Sequence, residues 1–225
     1  MIKNKWYILY YFLIFIIFSC TDKKESNTYI EDDLNKNRIF LVFRETDSKN
    51  GFIAKEYNMT SSSVTHIGLG FFDDNKFKII NIDNINQKDR ENDILISSLD
   101  EFFNLKDYEV ISGEIWEYHK DFESEQIKRI AKEIDSLYTK SNIRFDTKID
   151  YNESEKMYCS ELVSNLLDNF LEDDYKVELQ KKKLAPVHRF YLKKDTIEYI
   201  PVDYFCTLTT FKKVYSFSNK AQSNN

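Results

Sequence analysis

The 225-residue chain predicts an α+β fold with a largely antiparallel sheet. Two observations carry this. Compact apolar or alternating runs, bounded by turn residues, fill the first half of the chain and return near its end, whereas two segments between them repeat apolar residues at helical spacing. With 42% hydrophobic and 16% aromatic residues but only 4 Gly and 2 Pro, the chain can bury one sizeable core and is no low-complexity polymer.

The first residues read as a targeting segment. Lys3 and Lys5 precede the apolar run Trp6 to Phe18, which is short for a membrane span. Ile17-Phe18-Ser19-Cys20 resembles a bacterial lipobox, which implies a signal peptide over 1–19 and a lipidated thiol at Cys20. A plain signal peptide or a signal anchor is the alternative. Residues 20–37 are polar and read as a tether between a membrane anchor and a domain over 38–217. Residues 218–225 read as a disordered tail.

Within the domain, Ile39 to Phe43 is a compact apolar run and predicts a buried strand. A short helix is expected around Phe52-Ile53-Ala54. Val64 to Phe72 and Phe77 to Ile82 predict a hairpin around Asp73-Asp74-Asn75-Lys76. In the first of these strands His66, Gly68 and Gly70 share a face, and paired glycines suggest close approach by another backbone or a ligand, for which the helix start that carries Cys159 is a candidate. Residues 87–93 read as a loop. Ser98-Leu99-Asp100-Glu101 has the spacing of a capping box and predicts a helix through Phe102-Phe103. Tyr108 to Tyr118 alternates as a strand. Ser124 to Tyr138 is amphipathic, with Ile127, Ile130, Ala131 and Ile134 on one side. Leu162, Val163, Leu166, Leu167 and Phe170 predict a second helix that starts at about Cys159. Glu172 to Lys183 reads as a solvated helix end and surface loop. Thr196 to Ile200, Tyr204 to Thr210 and Phe211 to Phe217 read as further extended pieces.

The chemistry rests on few residues. A cysteine at a helix start meets free N–H groups and the helix dipole, which favour its thiolate. Cys159 is therefore the candidate nucleophile. Cys206, in an apolar stretch, reads as a core thiol, and a Cys159–Cys206 disulfide is the other option for an exported chain. His66 lies within a strand and is the favoured base; His188 is second, and His119 reads as exposed. Glu161, in the first helical turn, reads as a complement to the dipole. No two histidines stand near one another and there is no C-x-x-C, so no metal site is expected. No phosphate-binding glycine loop or G-x-S-x-G elbow is present, and no cofactor is expected. A net charge of −6, from 32 basic and 38 acidic residues, excludes a general nucleic-acid binder.

His66-Ile67-Gly68-Leu69, followed much later by Tyr158-Cys159-Ser160-Glu161-Leu162-Val163, resembles the circularly permuted papain-like cysteine hydrolases, the YiiX/YebB-like branch of the NlpC/P60 superfamily. The histidine strand precedes the cysteine helix, the reverse of papain. The resemblance implies a permuted papain-like fold in which an antiparallel sheet packs on the Cys-bearing helix. It also implies Cys159 as nucleophile, His66 as base and a polar third member on the next strand. Asn81 stands where the family often carries Glu, with Asp83 on the same face as the alternative. Tyr158 would line the cleft or simply pack. The expected activity is hydrolysis of an amide through a thioester, first of all in a cell-wall peptide, with the protein exported and lipid-anchored to a bacterial cell-envelope membrane. A lipid-directed hydrolase or acyltransferase acting on an acyl-containing substrate, and a catalytically silent ligand-binding lipoprotein, are the other readings.

Overall fold

The computed structural model describes residues 28–84, 92–149, 151 and 155–219. The expected signal peptide, Cys20 and the end of the tail at 220–225 lie outside the described residues, as does most of the expected loop over 87–93.

A six-stranded, fully antiparallel sheet organises the molecule. Its strands are β1 (Phe40–Thr46), β2 (His66–Asp73), β3 (Lys76–Ile82), β4 (Ile94–Ser97), β5 (Val110–Tyr118) and β10 (Phe211–Ser218), in the order β10-β5-β1-β2-β3-β4. Every residue of β1 is buried, because both faces of the sheet are covered. That is why it reads in sequence as a continuous apolar run rather than an alternating one.

One face of β1 (Leu41, Phe43) joins the larger core with Ile67, Leu69 and Ile80. Two long helices cover that face: α4 (Ser124–Lys140) through Ile127, Ile130 and Ile134, and α5 (Cys159–Leu171) through Leu162, Val163 and Leu167. The other face (Phe40, Val42) joins a smaller core with Phe72, Phe77, Ile79 and α3 (Leu99–Phe103). Helix α3 starts on the expected capping box: the Ser98 hydroxyl accepts from Glu101 N–H at 3.2 Å, and Ser98 N–H donates to the Glu101 carboxylate at 2.8 Å. The short α1 (Thr28–Glu31) leads to Leu34, which is buried in the smaller core, so packing begins ahead of Arg38.

The β2–β3 hairpin turns on Asp74 and Asn75, both at positive φ (46° and 63°). Two left-handed residues match the twist of the flanking strands. Helix α2 (Lys49–Glu56) follows β1, as expected around Phe52.

Four expectations change. Gly68 and Gly70 do not admit the start of the Cys159 helix. A Cβ on Gly68 would fall 2.6 Å from an Ile79 methyl, and one on Gly70 2.5 Å from the Phe77 ring. The glycines make room for the side chains of β3, on the face away from α5. The lysine run Lys181–Lys183 is not loop: Gln180–Lys183 is strand β8, paired antiparallel with β9 (Thr196–Tyr199) around α6 (Pro186–Leu192). Tyr204 to Thr210 is not a strand. Val202–Thr207 forms a 3₁₀ turn, which sends the neighbours Tyr204 and Phe205 into the same core; a strand would send them to opposite faces. Cys206 accordingly packs against the larger core only half-buried, and it is unbridged, as is Cys159. The short pairs β6 (Arg144–Phe145) and β7 (Lys156–Met157) run parallel and lead into α5.

Candidate active site

Cys159 is the first residue of α5, after Tyr158 in extended conformation. The residues on either side of it hold that start in place. Tyr158 Oη accepts from Ile200 N–H at 2.9 Å, and Ser160 Oγ donates to Ile200 O at 2.6 Å. Tyr158 is thus bonded across the cleft as well as lining it, as the sequence reading allowed. The backbone N–H groups of Ile67 and Ser160 lie close enough to the Cys159 sulfur to favour its thiolate. This docks the thiol on the first residues of β2, beside His66.

His66 opens β2 and is buried. Its Nε2 lies 3.2 Å from Asn81 Oδ1. A carbonyl oxygen only accepts, so Nε2 carries the proton and Nδ1 keeps a lone pair. The Asn81 amide in turn reaches Ser97 Oγ on β4 at 3.5 Å. Asp83, the alternative third member, is engaged elsewhere: its carboxylate pairs with Arg44 Nη2 at 2.6 Å. Of the other histidines, His119 is exposed and its Nδ1 lies 2.8 Å from Thr210 O. His188 contacts the Tyr57 hydroxyl at 3.2 Å and does not line the cavity that holds Cys159.

That cavity, of about 170 Å³, is lined by Cys159, His66, Arg44, Asp83 and Tyr158 at one end. Its remaining wall mixes apolar side chains, among them Ile53, Leu105, Phe145, Ile149 and Val202, with polar ones such as Asn50, Asn84, Asp146 and Thr147.

Electrostatics overturn one expectation. Burial pushes the Cys159 thiol up to about 11, against the smaller help of the Ile67 N–H. Burial, and then the charge of Arg44, press the His66 imidazole well below its usual range. Desolvation outweighs the helix start, and near neutral pH thiol and imidazole both rest uncharged.

Arg44 is the residue that sequence reasoning missed. It is 4% exposed, donates from Nη1 to Phe102 O at 2.9 Å, and lays its guanidinium 4.5 Å from the Phe102 ring centre. Its Nε has no hydrogen-bond partner. The signal was parity: Arg44 is the lone cation of β1, two residues on from Val42 and opposite His66. Glu161, expected to serve the helix dipole, is buried in the first turn of α5.

No family model matches the chain, and no curated protein matches it. Among solved structures, the chain is similar to the crystal structure of metalloprotein yiiX from Escherichia coli O157:H7, with a TM-score of 0.58 at 13% identity, over 82% of this chain and 99% of that one. At that identity the likeness speaks for the fold alone, and it agrees with the papain-like α+β architecture expected from the sequence.

Proposed function

We propose that this chain is a cysteine hydrolase of the permuted papain-like, NlpC/P60 type that cleaves an amide through Cys159, His66 and Asn81. The observation that carries this is the placement of His66: its Nε2 is committed to Asn81, its Nδ1 is left to accept, and the Cys159 thiol sits on the amide of the next residue. Because both partners rest neutral, the proton moves during attack. His66 Nδ1 takes the thiol proton as sulfur bonds to the carbonyl carbon. The Cys159 N–H, at the start of α5, faces the oxyanion that forms. The imidazolium then protonates the leaving amine, and water, deprotonated by the same nitrogen, hydrolyses the thioester. Asn81 keeps the ring oriented without drawing a proton onto it.

A cell-wall peptide amide is the first substrate class, with the protein exported and tethered through a lipid on Cys20 to a bacterial cell-envelope membrane. Among the described residues no helix is long and apolar enough to span a bilayer. The apolar part of the wall, with Ile53, Leu105, Phe145 and Ile149, favours a second reading, in which an acyl chain lies in the cavity and an ester or amide of a lipid is cut. The yiiX protein is described as a metalloprotein. Among the described residues here no three His, Cys, Asp or Glu side chains group to hold an ion.

Product analysis on muropeptides and on phospholipid vesicles separates the two substrates. Cys159→Ala should abolish turnover on either, and His66→Ala should lower it by about 10²–10⁴-fold. Full activity in Cys159→Ala would end the proposal.

A further inference from the structure

Three neighbouring strands set a charged row across the site. Arg44 on β1 is paired directly with His66 on β2. The β2–β3 register, with Phe72 on Phe77 and Leu69 on Ile80, sets Asp83 opposite His66 when carried on past the end of β3. The Arg44 guanidinium bridges the row to reach Asp83 at 2.6 Å, and it shares the Phe102 ring with the His66 imidazole, which packs on it at 5.8 Å. The titratable or charged groups around His66 come from three elements: Arg44 from β1, Asp83 beyond β3 and Cys159 from α5. Helix α3 supplies only the Phe102 ring. Asn81 and Asp83 lie on one face, two residues apart, so one imidazole has two candidate partners, an amide and a carboxylate.

We propose that Arg44 is a positioning residue for the Cys159–His66 pair: it holds the Asp83 carboxylate away from the imidazole and so reserves Nε2 for Asn81. A carboxylate partner would stabilise the imidazolium and fill Nδ1 with a proton before substrate arrives. An amide orients the ring and leaves Nδ1 able to accept. The burial of Arg44, its second anchor on Phe102 O and its place opposite His66 all serve that separation. This inference rests on the Cys159–His66 reading above.

The test follows His66 by NMR titration of its imidazole in the full chain, together with the rate of Cys159 alkylation by iodoacetamide, read by mass spectrometry of the Cys159 peptide. Arg44→Gln should raise the His66 midpoint by about one pH unit or more. Adding Asp83→Asn to that variant should bring the midpoint back down, and Arg44→Lys, which keeps the charge, should hold it near the wild-type value. An unmoved midpoint in folded Arg44→Gln overturns the proposal. Should Arg44→Gln fail to fold, Asp83→Asn decides instead, since it removes the competing charge while its amide oxygen can still accept from the Arg44 guanidinium. Cys159 should then alkylate at about pH 8 as fast as in the wild type or faster, and a slowing of about threefold or more would show that Asp83 itself orients the ring. If His66→Ala leaves alkylation unchanged, the Cys159–His66 pair fails. If it slows alkylation while Arg44→Gln leaves the midpoint in place, only the role of Arg44 fails.

Discussion

His66 is buried among groups that disfavour its charge, and this has a measurable cost in acid. Burial and Arg44 depress its folded pKa to about 4, against about 6.5 in an unfolded chain. Above the unfolded value both states hold the ring neutral, and the stability contribution is complete. As the pH falls below it, the unfolded chain gains a proton that the folded one refuses. Between pH 7 and 5 this removes about 2 kcal/mol, and His66→Gln should flatten that part of the pH–stability curve measured by urea denaturation. Cys159 titrates at the other end of the scale. With its thiol raised to about 11, its alkylation should keep accelerating with pH beyond 9, where a surface thiol levels off. A plateau near pH 7 would instead mean a preformed thiolate. At this scale the sequence was most informative about residue types: a thiol at a helix start, a strand histidine and Asn81 two residues before Asp83. It was silent on Arg44, whose partners come from Asp83 and Phe102, and on protonation, which depends on burial.

The elements divide by how they are covered. Strands β1, β2 and β3 and helices α4 and α5 bury whole faces, so their apolar patterns are plain in the sequence. The β8–β9 hairpin is not, because alternate residues of β8 face water and Lys181, Lys182 and Lys183 look like any solvated run. The 3₁₀ turn at Val202–Thr207 is held by contacts far away in the chain: the Asp203 carboxylate accepts from Met59 N–H at 2.9 Å and Thr60 N–H at 2.8 Å. Two substitutions test the elements that were legible. Ser98→Ala removes the cap of α3 and should cost about 1 kcal/mol in thermal or urea unfolding. Gly70→Val should cost about 1–3 kcal/mol, since its Cβ would meet the Phe77 ring at 2.5 Å and Phe40 Cβ at 3.1 Å. If Gly70→Val is neutral, the glycine face does not pack as described.

For the whole molecule, one sheet with a core on each face places the site at the end of β2, where the larger core meets solvent. The order of elements, histidine strand before cysteine helix, was readable because each carries its own local pattern. Which face of the sheet the helix would cover was not, because β2 is apolar or small on both sides, and the glycines pointed the wrong way. The proposed membrane tether belongs to this scale too. Full-length protein expressed in a bacterial host should partition with membranes and take up labelled fatty acid, and Cys20→Ala should release it to the soluble fraction without loss of muropeptide turnover. Label retained by Cys20→Ala would refute the anchor.

Ile200 donates its N–H to the Tyr158 hydroxyl and accepts from the Ser160 hydroxyl, so the side chains on either side of Cys159 are tied to a single residue of the facing wall. The jaws of the cleft are therefore hinged to the part they are meant to arm. A guest broad enough to spread them would strain both ties and tilt the thiol off its seat on Ile67. Such a site would sort molecules by girth without a gate: whatever fits leaves the sulfur aimed, and whatever does not disarms it on entry.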